Sequence, residues 1–297
     1  NAANASNPSS ATVTVNIAHP WVHRTAAPSL IYIGAWSMAR RLVSTYTGPL
    51  IRIRRASDNT QQDIGFVESG GHHVLDESAV TSFVGSSDWF IRTIYDQSLE
   101  GGHLEQPTAS LQPIGGTAGG FNRIGSNNRT GAQFGSSRRI GYTFGTLPVD
   151  NVFGVLLAGR TGTSITGGQR FMSMGSNPAF NFVLQDDGKP RFDYGNGGFL
   201  HSGALTTNQS FVLYGRFLGQ SGSSERFRVG FTGQPVQNGG GGNSQLATSN
   251  QEIRLGVNSA NGGSYAGRLS ELVLIRDITA GAEESGLYAA AGDFFGA

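Results

Sequence analysis

The chain has 297 residues, 45 glycines, no cysteine, and 21 Lys and Arg against 20 Asp and Glu, which gives a formal net charge of +1. This balance supplies no basic field for holding nucleic acid, and the absence of cysteine excludes disulfides and thiolate nucleophiles. No stretch approaches the roughly 20 apolar residues of a membrane-spanning helix. We therefore expect neither nucleic-acid binding nor membrane insertion.

The N-terminal segment differs in composition from the rest of the chain. Residues 1–10, NAANASNPSS, are small and polar and show no apolar period, so their burial cannot offset the entropy lost on ordering. Residues 12–17 alternate like a strand that needs a partner. The sequence predicts an arm or linker over 1–16 and a single domain over 17–297. The arm either reaches a neighbouring copy or is a frayed terminus.

Beyond residue 11, short β-rich runs alternate with clusters of Gly, Asn and Ser, a rhythm typical of sandwiches and jelly rolls. Three helices are predicted outside the sheets: one over 35–43, one capped by Asp76 and running to about Phe83, and one over 282–295. The predicted strands cover 50–54, 90–95, 152–157, 181–184, 211–218, 226–231, 252–256 and 268–275.

Two segments carry the most recognisable motifs. Residues 35–66 contain a Tyr-Thr-Gly turn and an Arg-rich strand that ends in Ser-Asp-Asn, and residues 91–106 contain Tyr-Asp-Gln-Ser followed by His-Leu. These segments resemble the catalytic domain of the family 54 α-L-arabinofuranosidases and the arabinofuranosidase-like modules of phage and bacterial surface proteins. Residues 255–275 look like the closing strands of concanavalin A-like jelly rolls. The resemblance implies an all-β fold: a concanavalin A-like jelly-roll β-sandwich with a few short peripheral helices.

The same resemblance suggests where catalytic carboxyls would stand. A retaining glycosidase needs two carboxyls about 5 to 5.5 Å apart, and the resemblance puts the nucleophile at or near Asp186 and the acid at or near Val257. Asp186-Asp187-Gly188 equally suits a hairpin turn, and a valine side chain donates no proton. Asp186 is therefore a weak catalytic candidate, and we expect negligible hydrolysis of arabinofuranosides.

Three other residues are candidates for binding a ligand. Trp21, flanked by Pro20 and His23, could stack on a sugar ring, and Asn258 follows Val257 in the stretch that resembles the family. Asp96 of the Tyr-Asp-Gln-Ser motif is either a ligand-binding carboxylate or an acceptor for loop N–H groups. Because the adjacent His72 and His73 would point to opposite faces of an extended segment, no metal site is predicted, and no cofactor is expected.

The sequence favours a non-catalytic structural or adhesion module, acting on a virion surface as a phage decoration, tail or fibre protein, or extracellularly. Its expected partners are copies of itself or other virion and surface proteins, with a cell-surface glycan as a further ligand. The alternative is a glycoside hydrolase of α-L-arabinofuranosidase type.

Overall fold

The computed structural model describes residues 31–98, 102–135, 137–144, 153–175, 180–194, 197–217, 227–239, 252–257, 263–276 and 282–297. The predicted arm and the strand expected at 12–17 lie outside these ranges. In the described part neither helix is long and apolar enough to span a membrane.

The strands are β1 (Ile31–Ser37), β2 (Ile51–Arg55), β3 (Gln61–Ile64), β4 (Phe66–Ser69), β5 (His72–Leu75), β6 (Trp89–Ile94), β7 (Leu104–Glu105), β8 (Ile114–Gly116), β9 (Asn122–Ile124), β10 (Arg129–Gln133), β11 (Ile140–Thr143), β12 (Phe153–Arg160), β13 (Gln169–Met174), β14 (Phe180–Leu184), β15 (Pro190–Tyr194), β16 (Gly197–Leu200), β17 (Ser210–Phe217), β18 (Phe227–Phe231), β19 (Gln237–Gly239), β20 (Glu252–Leu255) and β21 (Arg268–Arg276), and the helices are α1 (Glu77–Val84) and α2 (Ala282–Phe295).

Most of the strands form two antiparallel layers, as the predicted sandwich requires, and β4 and β5 pair in a separate two-stranded sheet. The first layer has the order β3-β2-β6-β7-β11-β20-β13-β14-β15-β16. The second has the order β1-β21-β12-β17-β18-β19, and β8 and β10 join the layers at one edge. Fold class and sandwich architecture are thus confirmed.

The main core lies between the two layers, and strand alternation selects the side chains that enter it. On β12, for example, Val155 and Leu157 belong to this core, whereas Leu156 and Ala158 belong to a second cluster on the opposite face. That second cluster is closed by α2, whose Phe294 and Phe295 are fully buried. Helix α2 therefore covers the outer face of the second layer.

The two helices leave the outer face of the first layer uncovered in the described part of the chain. Helix α2 packs on β12 and β17, and α1 contacts β3 at one edge. Polar side chains on the first layer's outer face can therefore meet a ligand. This surface, here called the open face, is where we look for a functional site.

Two of the three predicted helices are confirmed. Asp76 caps α1, its carboxylate accepting the N–H of Ala79 at 3.0 Å, and α2 spans the predicted 282–295. The helix predicted over 35–43 is wrong, because residues 31–37 form β1, paired with β21. Ser37 Oγ accepts the N–H groups of Ala39 and Arg40, each at 3.2 Å, and turns the chain after the strand.

Candidate functional site on the open face

A row of mostly polar residues crosses all ten strands of the open face. Each member is the register partner of the next, so side chains from distant parts of the sequence share one line at the strand spacing of about 4.8 Å. Ten strands give a row about 43 Å long. In order, the row comprises Asp63, Arg52, Thr93, Glu105, Gly141, Arg254, Ser173, Asn181, Asp193 and Gly198.

A cleft lies in the middle of this row, over β11. Its cavity of about 320 Å³ is lined by His103, Glu105, Gly141, Tyr142 and Thr143. Gly141 forms the floor because it has no side chain, and a Cβ there would lie 2.4 Å from the carbonyl oxygen of Ile253. The glycine thus keeps the cleft open between β7 and β20.

One glutamate lines the cleft, and a second stands on the neighbouring strand beside it. Glu105 on β7 is the register partner of Gly141, and Glu252 on β20 is the partner of Thr143. Glu252 forms an ion pair with Arg254 at 2.5 Å, whereas the closest approach of Glu105 to a cation is the 3.7 Å contact with Arg92. The two carboxylates therefore stand on strands about 10 Å apart, separated by a strand with a glycine in its middle.

A third carboxylate, Asp193, lies at the far end of the row. It is half-buried and pairs with Arg191 at 2.5 Å. Burial raises the pKa of Asp193, an effect that exceeds the opposing influence of Arg191 and then Arg170. A carboxyl of this kind holds a proton to higher pH than an exposed aspartate does.

Asp96 organises the loop beside the cleft. It is 3 % exposed, and one carboxylate oxygen accepts the N–H of Ala35 at 2.9 Å and the N–H of Ser98 at 3.0 Å. The other oxygen accepts the Ser98 hydroxyl at 2.7 Å and the N–H of Gly102 at 3.3 Å. Both oxygens are thus engaged by the protein, so Asp96 acts on the site through the backbone that it holds.

The catalytic positions suggested by the resemblance lie outside the cleft. Asp186 is exposed in the turn between β14 and β15, where Gly188 has a φ of +79° and its N–H donates to the carbonyl of Gln185. Val257 is fully buried, and its carbonyl accepts the Ser173 hydroxyl at 2.9 Å. Trp21 and Asn258 lie outside the described residues, so their proposed binding roles stay predictions.

Sequence reasoning did not single out Glu105, Glu252 or Asp193. The local signal was weak: each stands in an alternating polar and apolar stretch, such as Arg-Phe-Asp-Tyr at 191–194. These three carboxylates share one face because of the strand order and register. The alternation of polar and apolar residues in the sequence predicts strands, but it does not predict which strands pair or in what register. Among the described residues, no group of three or more His, Asp or Glu side chains could hold a metal ion.

The two antiparallel layers and the open polar face define a β-sandwich of the jelly-roll class. The family model described as "Alpha-L-arabinofuranosidase B, catalytic" matches residues 26–208. Because the match covers more than half of the chain, the chain belongs to this family.

Curated relatives and solved structures agree with this assignment. A probable α-L-arabinofuranosidase B of Aspergillus fumigatus is 39% identical over 87 residues, which are 29% of this chain and 16% of that protein. The enzyme of Emericella nidulans is 43% identical over 74 residues, 25% of this chain and 14% of that protein. The matched segments thus span about a sixth of these relatives' length.

Among solved structures, an arabinofuranosidase complexed with arabinofuranosyl-α-1,2-xylobiose superposes with a TM-score of 0.65 at 19% identity. A GH54 α-L-arabinofuranosidase soaked with a cyclic sulfate inhibitor gives a TM-score of 0.64 at the same identity. Each likeness covers 89% of this chain and 62% of the other. At this level of identity the likeness supports the fold.

These findings correct the function favoured by the sequence. The virion structural module was inferred because related modules recur in phage proteins, but the family match and the curated relatives are to arabinofuranosidases. The alternative, a glycoside hydrolase, agrees better with these findings. The expectation of negligible hydrolysis rested on Val257 at the acid position and on the interpretation of Asp186 as part of a hairpin turn.

Proposed function

We propose that this protein is a glycoside hydrolase of α-L-arabinofuranosidase type that acts extracellularly on α-L-arabinofuranosides. The observation that carries the proposal is the match of residues 26–208 to the catalytic-domain family. The curated relatives are named as α-L-arabinofuranosidases. One solved relative was complexed with arabinofuranosyl-α-1,2-xylobiose, which makes arabinose side chains on a xylan backbone the first substrates to test.

The cleft over β11 is the proposed place of reaction. Glycoside hydrolysis uses two carboxyl groups, about 5 to 5.5 Å apart for retention and about 6.5 to 9.5 Å apart for inversion. Glu105 and Glu252 stand on strands about 10 Å apart and are offset by two residues along β11, which puts their backbones about 12 Å apart. Two methylene groups on each side chain let the carboxyls approach the wider of these separations. This pair replaces the carboxyl that Val257 does not provide.

Each glutamate would have a distinct task. One carboxyl protonates the leaving oxygen, while the other attacks the anomeric carbon or activates the water that does so. The close pairing of Glu252 with Arg254 suits the carboxylate that stays charged, and the looser contact of Glu105 with Arg92 suits the proton donor.

Leaving-group chemistry tests this assignment. We expect Glu105→Gln to lower kcat by about 100- to 10,000-fold on an alkyl arabinofuranoside, because its alkoxide needs a proton. The loss should be much smaller on 4-nitrophenyl α-L-arabinofuranoside, whose phenolate leaves without one. Glu252→Gln should impair both substrates alike.

The controls separate this pair from the other candidates. Asp58→Asn removes an exposed carboxyl in a turn, where Asp58 pairs with Arg55 at 2.6 Å, and should leave turnover unchanged. If Asp186→Asn abolishes turnover while both glutamate variants stay active, the reaction takes place at the position that the resemblance indicated. If the unmodified protein shows no turnover on either substrate, the proposed function is wrong.

A further inference from the structure

His103 forms one wall of the cleft beside Glu105. The two residues alternate with Leu104, which is fully buried, so both side chains stand on the open face. The imidazole packs against the edge of Tyr95, with ring centroids 4.9 Å apart. His103 is therefore held by its surroundings at the surface of the cavity.

The backbone fixes the tautomer of this histidine. The N–H of Asp96 points at His103 Nδ1 at 3.1 Å. An amide nitrogen only donates, so Nδ1 must be the acceptor, and the neutral ring then carries its proton on Nε2. The Asp96 backbone is itself held by the four hydrogen bonds to its carboxylate.

This arrangement gives the cleft a donor and an acceptor side by side. Within the described ranges, no hydrogen bond joins His103 Nε2–H to the protein. The cavity that His103 lines also contains Glu105, whose second carboxyl oxygen accepts a hydrogen bond even when the group carries the proton assigned to it. A sugar hydroxyl both accepts and donates, so it satisfies His103 and Glu105 together.

We infer that His103 is a substrate-binding residue whose Nε2–H donates a hydrogen bond to a hydroxyl of the arabinofuranoside in the cleft. This inference rests on the proposed function for the identity of the sugar. It assigns a ligand contact to the histidine of the Tyr-Asp-Gln-Ser segment and leaves Asp96, in the same segment, as the residue that orients it.

Two substitutions of His103 distinguish the role of its Nδ1 atom from the role of its Nε2 atom. His103→Asn places an amide oxygen near the position of Nδ1, which keeps an acceptor for the Asp96 N–H and removes the donor at Nε2. His103→Gln places an amide nitrogen near Nε2 and removes the acceptor. We expect His103→Asn to raise KM for 4-nitrophenyl α-L-arabinofuranoside about 3- to 10-fold, the effect of one lost neutral hydrogen bond, with an unchanged Tm. His103→Gln should keep KM within about twofold and lower Tm.

An NMR titration with L-arabinose supplies a readout that does not need turnover. The Nε2–H signal of His103 should shift on binding in the unmodified protein, and His103→Asn should weaken the affinity by the same factor as KM. If the signal shifts and His103→Asn weakens binding in a protein without turnover, His103 binds sugar and the proposed hydrolysis fails. If turnover occurs but KM is unchanged in His103→Asn, or the signal stays fixed at saturating arabinose, the role of His103 is refuted and the hydrolysis stands. A protein that neither binds arabinose nor turns over refutes both.

Discussion

The buried ion pair between Arg40 and Glu271 should dominate the stability of the second layer's outer face. Arg40 donates two hydrogen bonds to the Glu271 carboxylate, at 2.9 and 2.8 Å, and the two side chains are 4% and 0% exposed. The guanidinium also lies 4.3 Å from the centre of the Phe294 ring. Glu271→Gln therefore removes the carboxylate charge that accepts two hydrogen bonds from Arg40 in this buried position.

The expected cost follows from this burial. Removing one partner of a buried pair costs about 3 to 5 kcal/mol. At about 2 to 4 °C per kcal/mol for domains of 150 to 250 residues, Tm should fall by at least about 6 °C. The exposed pair of Lys189 and Asp187, with side chains 35% and 49% exposed, provides the control, and Asp187→Asn should leave Tm nearly unchanged because solvent screens this pair.

Urea unfolding followed by near-UV circular dichroism measures both variants. The double variant Arg40→Met, Glu271→Leu should recover most of the loss, because apolar side chains of similar volume often replace a buried pair at little cost. Equal stability of Glu271→Gln and Asp187→Asn would refute the reasoning, because burial would then have no effect on how much an ion pair contributes to the free energy of unfolding.

Three further predictions concern a helix cap, a glycine and a titrating carboxyl. Asp76→Ala should cost about 1 kcal/mol of unfolding free energy by removing the cap of α1, and Asp76→Asn should restore most of it; equal losses in urea melts would contradict the capping role. Gly115→Ala should destabilise the fold by about 1 to 3 kcal/mol, because a Cβ would meet the buried Trp89 ring at 2.0 Å; an unchanged Tm would show that the ring can move. Since burial raises the folded-state pKa of Asp193, the charged form disfavours folding, and this penalty is absent at pH values below the unfolded pKa and grows as pH rises through the folded value. Asp193→Asn should therefore gain stability relative to the unmodified protein as pH rises above the ordinary aspartate pKa of about 4, and a difference that is flat with pH would be the contrary result.

The sandwich and two helices could be predicted because residues close together in the sequence determine those features. Nearly continuous apolar runs define strands such as β12 and β17, which are buried on both faces, and Asp76 is a cap that needs only its own helix. The helix predicted over 35–43 failed because residues such as Ala35, Met38 and Leu42 suit a helix, while pairing of residues 31–37 with β21 adds contacts that no local window contains.

The site was harder to predict than the fold. Glu105 and Glu252 are 147 positions apart in the chain, and they stand on either side of β11 because β7 and β20 both pair with that strand. The resemblance indicated Asp186 and Val257, and neither lies in the cleft. Asp96 was recognised from its motif, with a backbone role among the alternatives, but its effect on His103 depends on a 3.1 Å hydrogen bond that only the folded chain provides.

The most direct test of the central claim is the crystal structure of the Glu252→Gln variant soaked with 4-nitrophenyl α-L-arabinofuranoside. The account predicts an arabinofuranosyl ring over Gly141, with Glu105 within hydrogen-bonding distance of the glycosidic oxygen and His103 Nε2 within that distance of a ring hydroxyl. A sugar bound at the turn containing Asp186, or an empty cleft at a substrate concentration that saturates turnover in the unmodified protein, would contradict it.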